Sequence, residues 1–130
     1  DYTKEEMKMV WETQKIMGDE SILVNATAVR VPVFYGHAEA IHLETRSPID
    51  AEQVKQLLAD APGVTVYDTN EQFPTQVSSA SGNDIVHVGR IRNDITHPCG
   101  LNLWVVSDNI RKGAATNSIQ IAEMLIRDYL

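Results

Sequence analysis

Apolar positions along the chain change period several times, and each change predicts an element. Between about Lys4 and Met17 the residues Met7, Val10, Trp11 and Met17 fall on one stripe of a helix. Glu5, Lys8, Glu12 and Lys15 lie at spacings of three and four on another stripe. Thr3 followed by Glu6 has capping-box spacing, in which a hydroxyl and a carboxylate answer backbone donors left open at a helix start, and Gly18 ends the helix. Two β-rich runs come next, Ile22 to Val33 and Ala38 to Thr45, joined by the turn-prone FYGH segment around Gly36 and close enough to pair as neighbours. Asp50 caps a second helix over Ala51 to Ala59, with Val54, Leu57 and Leu58 facing inward and Pro62-Gly63 closing it.

Val64 to Tyr67 reads as a short strand. From Asp68 to Asn83 the chain is rich in Thr, Ser, Gln, Asn and Gly, which predicts mostly loop, with a short strand at Thr75 to Ser78. Ile85, His87, Gly89 and Ile91 alternate with Val86, Val88, Arg90 and Arg92, the period of a strand with two different faces. After the THPCG turn, Leu101 to Val106 is another strand. Ser107 or Asp108 then caps a final helix on which Ala115, Ile119, Ala122 and Ile126 recur. This order predicts an α+β fold, a mixed or antiparallel sheet with helices on one side. No Gly-rich phosphate loop follows any strand, so no Rossmann half is recognisable.

Composition narrows the partners. At 130 residues and 43% hydrophobic, the chain suits one domain with a real core. A net charge of −7 repels a phosphate backbone, which argues against nucleic acid. No apolar run reaches ~18 residues and no signal-peptide pattern opens the chain, so a soluble protein away from membranes is expected. The single cysteine, Cys99, makes neither an internal disulfide nor a zinc site by itself, consistent with a cytoplasmic location.

In the RVPVFYGH segment, Arg30 lies in a hydrophobic run and His37 follows seven residues later beside a glycine. One reading pairs Arg30 with Glu39 or Glu44 and leaves His37 as a surface turn residue. The other makes Arg30 a bidentate fork for a substrate carboxylate and His37 a group that exchanges protons near neutrality. Local spacing leaves both open. Glu5 and Lys8, one helical turn apart, are by themselves a weak exposed ion pair. Cys99 sits in Pro-Cys-Gly within a turn, where a reactive thiol would need a helix start or a base beside it, and no catalytic role is expected of it. His42, His87 and His97 have no ligand partners at metal spacing, so no metal site is expected. Trp11, Trp104 and Phe34 are too scattered for a base-stacking platform.

Three long segments in order, TKEEMKMVWETQKIM, VRVPVFYGHAEAIHLET and VGRIRNDITHPCGLNLWVVSDNIRKGAATNSIQIAEMLI, resemble bacterial aspartate-semialdehyde dehydrogenase over nearly the whole chain. The resemblance implies the α+β fold of the C-terminal domain of glyceraldehyde-3-phosphate dehydrogenase-like enzymes. It implies NADPH-dependent reductive dephosphorylation of L-aspartyl 4-phosphate to L-aspartate 4-semialdehyde, toward lysine, methionine and threonine. It further implies that His37 is the acid/base residue, that Arg30 holds the substrate α-carboxylate, that Glu5 contacts the substrate and Lys8 the phosphate, and that Asn109 lies near the nicotinamide of NADP. Residues 1–108 then belong to a substrate-binding and dimerisation domain, and 109–130 form a helix directed toward an NADP-binding domain; a homodimer is expected. The sequence also departs from the family. The nucleophilic cysteine of an Asn-Cys-Ser/Thr motif is missing, and Ala28 and Ala38 stand where relatives often carry Cys and Ser. Without the thiolate no covalent intermediate forms, and the chain by itself is expected to be inactive. The alternative is a non-catalytic dimerisation or interaction module, or a paralogue that kept the fold.

Overall fold

A computed structural model describes residues 1–69 and 72–130. The polar stretch expected as loop includes Asn70 and Glu71, which lie outside the described residues. The chain divides into two compact units, 1–32 and 33–130.

The first unit is a helix and an extended segment. Helix α1 runs over Lys4–Met17, opened by the full Thr3/Glu6 capping box and closed by Gly18, whose φ of 65° is the left-handed conformation glycine tolerates. The expected apolar stripe is only partly inward: Met7 and Val10 are half-buried, but Trp11 and Met17 are exposed, and the buried residue of the helix is Glu6. The anticipated strand over Ile22 to Val33 is absent. The segment keeps the alternation of an extended chain, with Ile22, Val24 and Ala26 half-buried and Leu23, Asn25 and Thr27 exposed, but it joins no ladder. Side chains of α1 tie it down instead: Gln14 Nε2 donates to the Ile22 carbonyl at 2.9 Å, and Glu6 accepts the Ala28 amide at 3.0 Å.

The second unit is built on a four-stranded mixed sheet in the order β1-β4-β3-β2, with β1 His37–Glu44, β2 Val64–Tyr67, β3 Val86–Asn93 and β4 Gly100–Ser107. β1 pairs antiparallel with β4, not with the run before it, while β2 and β3 are parallel. Helix α2, Ala51–Ala59, closes its own capping box with Asp50 and Gln53 and covers one face, where Ala51, Val88, Ile91 and Leu101 form the core. Val54 and Leu58 pack against that core; Leu57, expected inward, is exposed.

The two-residue alternation predicted for β3 fails at one point. A bulge between Gly89 and Arg92, with Arg90 at φ 55°, shifts the phase, so Val88 and Ile91, three residues apart, both serve the core. On the opposite face Gly89 lies against Pro74, whose carbonyl accepts the Trp104 indole N–H at 2.8 Å. The expected strand at Thr75 to Ser78 is a π-helical turn, Gln76–Ala80, capped by Thr75 Oγ1, which accepts the Ser78 amide at 2.9 Å. A second π-helical turn, Arg111–Ala115, leads into α3, Thr116–Tyr129. Its apolar residues, Ile119 and Ile126 among them, are exposed.

Candidate active site

In the first unit, Glu5 and Lys8 stand on the first turns of α1 and pair with each other at 3.3 Å. Arg30 is exposed and has no carboxylate partner within its own unit. What links its segment to the helix is Glu6. One carboxylate oxygen accepts the Thr3 amide at 2.8 Å and the other accepts the Ala28 amide at 3.0 Å. These two backbone amides, Thr3 first and then Ala28, hold the Glu6 carboxyl below its ordinary value.

In the second unit, His37 opens β1 opposite Ser107 and is exposed. Buried Gly36 precedes it with φ 87°, a conformation that favours glycine, and a Cβ there would meet the Gln76 side chain at 3.2 Å, a tight contact from which Gln76 would have to shift. The Gly36 amide donates to Asn109 Oδ1 at 3.0 Å. Asn109 follows a buried carboxylate. Asp108 accepts amides from Gly82 at 2.9 Å, Ile110 at 2.9 Å and Arg111 at 3.2 Å. The Gly82 amide contributes most to holding its carboxyl below the ordinary range. Asp84 adds a two-pronged ion pair to Arg111, with both contacts at 2.7 Å, and accepts the Thr116 hydroxyl at 2.8 Å. The turn bearing Asn109 is thus fixed on both sides.

The structure therefore groups Glu5, Lys8 and Arg30 in the first unit and His37 with Asn109 in the second. The other titratable candidates have local partners. His42 Nε2 and Asp94 Oδ2 are 2.7 Å apart, and His97 Nδ1 accepts the Cys99 amide at 3.2 Å. Among the described residues, no three His, Cys, Asp or Glu side chains gather as metal ligands, and no helix is long and apolar enough to cross a membrane. Sequence reasoning missed two carboxylates that bind distant backbone amides. Glu6 is visible only as half of a capping box and Asp108 only as a helix cap; their second contacts lie 22 and 26 residues away.

Residues 1–112 match the family described as semialdehyde dehydrogenase, dimerisation domain. The chain belongs to this semialdehyde dehydrogenase family. It is 69% identical over 128 residues to the aspartate-semialdehyde dehydrogenase of a Shewanella species, covering 98% of this chain and 38% of that protein. The aspartate-semialdehyde dehydrogenase of Legionella pneumophila is 65% identical over 131 residues, covering 99% of this chain and 38% of its own length. Among solved structures, the Vibrio cholerae aspartate semialdehyde dehydrogenase II complexed with ASA superposes with a TM-score of 0.95 at 67% identity, over 99% of this chain and 38% of that one. The Candida albicans enzyme with NADP does so with a TM-score of 0.80 at 31% identity, over 97% and 43%. Membership of the semialdehyde dehydrogenase family agrees with the α+β sheet, and the chain spans 38% of the length of these bacterial relatives.

Proposed function

We propose that this chain is the substrate-binding and dimerisation part of an aspartate-semialdehyde dehydrogenase, which converts L-aspartyl 4-phosphate and NADPH to L-aspartate 4-semialdehyde, NADP and phosphate. The observation that carries the reading is the Gly36–Asn109 hydrogen bond, which joins the backbone just before the acid/base candidate to the residue assigned near the nicotinamide. It is supported by the family match and by the names of the relatives.

Arg30, free of a carboxylate within its unit, offers two parallel N–H groups to the substrate α-carboxylate. Glu5 faces the substrate amino group and Lys8 its phosphate; substrate binding then exchanges their mutual ion pair for two bonds to ligand. His37, exposed at the strand start, exchanges the proton of the thiol and of the tetrahedral oxygen. Bound NADPH would supply the hydride. Asn109 suits the nicotinamide end: its Oδ1 is occupied by Gly36, and its Nδ2 has no partner among the described residues. The phosphates of NADP need a Gly-rich loop, which these residues lack, so they are assigned to a separate nucleotide-binding domain toward which 109–130 would pack. The thiolate likewise has to come from outside the 130 residues, because Cys99 lies in a turn beside His97 and matches no nucleophile motif.

In a complete enzyme carrying this chain, His37→Gln lowers kcat by about 10²- to 10⁴-fold with little change in the KM for NADPH. The 130-residue chain assayed alone gives no turnover, and a homodimer that forms without cofactor supports the dimerisation role. Turnover by the chain alone, abolished by a His37 substitution, refutes the reading.

A further inference from the structure

We infer that Glu6 is a positioning residue for substrate binding, orienting Arg30 through the Ala28 amide; this rests on Arg30 receiving the substrate α-carboxylate. Arg30 sits in an extended stretch that has no ladder to define it. Its first-unit anchors are side-chain bonds: Gln14 to the Ile22 carbonyl, Tyr2 to Asn25 at 3.2 Å, and Glu6 to the Ala28 amide. The last of these is nearest to Arg30, two residues before it. Its other end is the first turn of α1, where Glu5 and Lys8 stand. One carboxylate therefore fixes the arginine's backbone relative to the helix that bears the remaining substrate contacts.

Helix capping alone does not explain a glutamate here. A capping box closes equally well with Gln, and α2 of this same chain does so with Gln53. Glu6, however, accepts backbone amides on both oxygens, with only 9% of its surface exposed. A glutamine has one acceptor. Whichever amide its oxygen serves, its NH2 group is turned on the other, placing donor against donor. The second acceptor is what the Ala28 contact demands.

The test uses a complete dehydrogenase carrying this chain and two substrates, aspartyl phosphate and 3-aminopropionyl phosphate, which lacks only the α-carboxylate. Glu6→Gln keeps the capping box when its amide oxygen takes the Thr3 amide and its NH2 group opposes Ala28, and it should raise the KM for aspartyl phosphate about tenfold, with kcat within about threefold. The KM for 3-aminopropionyl phosphate and that for NADPH should not move. Thr3→Ala weakens the cap but leaves both Glu6–amide bonds, because the Thr3 contact to the carboxylate is through its backbone; it should lower Tm and leave KM unchanged. Ala28→Pro removes the donor from the other side and should reproduce the Glu6→Gln signature. A Glu6→Gln enzyme with unchanged KM overturns the inference, as does an equal rise for both substrates or the same rise in Thr3→Ala. If Arg30→Lys leaves the KM for aspartyl phosphate unchanged, the reading of Arg30 itself falls, whereas an effect of Arg30→Lys without one of Glu6→Gln removes only the role of Glu6.

Discussion

Asn109 accepts the amide of Gly36 across 73 residues of sequence, and this 3.0 Å bond holds together the two turns at the open end of β1 and β4. Gly36 is buried, so removing its acceptor leaves a polar group without solvent. Asn109→Ala should destabilise the protein by ~1–3 kcal/mol in urea unfolding. A change indistinguishable from that of exposed substitutions nearby would show that the bond contributes nothing.

A side chain at Gly89 would meet Pro74 Cδ at 2.9 Å, with Pro74 already pinned by the Trp104 indole. Gly89→Ala should therefore cost about 1–3 kcal/mol through overpacking. In a double-mutant cycle with Pro74→Ala the two effects should be less than additive, since the second substitution removes the clash. Simple additivity would place the strain elsewhere.

His87 is 4% exposed, its Nε2 has no hydrogen-bond partner among the described residues, and burial, outweighing the opposing effect of the Ser79 backbone, lowers its pKa from the ordinary 6.5. Above that value both folded and unfolded chains carry a neutral ring, and this residue gives no pH dependence. As pH falls through about 6.5 the unfolded chain takes up a proton that the folded chain refuses, so stability drops until the folded-state value is passed. His87→Phe should flatten Tm between pH 7 and 5. Asp94 acts lower. Its pKa is held at about 2, first by the Thr96 amide and hydroxyl and then by His42, so its stabilisation fades from the ordinary 3.8 downward. An unchanged slope between pH 7 and 5 in His87→Phe would reassign the effect.

The exposed isoleucines of α3 predict that the chain alone binds a hydrophobic dye. Ile119→Ser with Ile126→Ser should reduce that binding while shifting stability by no more than about 0.5 kcal/mol, as for surface positions. A large loss of stability would mean that these side chains have partners within the fold.

Much of this was legible beforehand because it depended on neighbours in sequence. Thr3 with Glu6, Asp50 and Gly18 all mark helix ends, and those ends stand where they were expected. What could not be read depended on distant chain. Extended periodicity over 22–33 predicts a strand only if another strand lies alongside, and here Gln14 and Glu6 supply the bonds instead. The phase shift at Arg90 is invisible to a two-residue alternation, and Thr75 favours a cap over a strand once Pro74 is buried against Gly89. For the candidate site, residue roles came from family resemblance. The partners that hold those residues, Glu6 and the Gly36–Asn109 bond, came from the structure.

The extended stretch tied by Glu6 also has a kinetic signature. Without a ladder, the amides of residues 23–31 have few acceptors among the described residues, and local opening exposes them at little cost. Ala28 is the exception. In hydrogen–deuterium exchange it should appear as a lone slow amide within a fast-exchanging run, and in Glu6→Gln it should exchange as quickly as its neighbours.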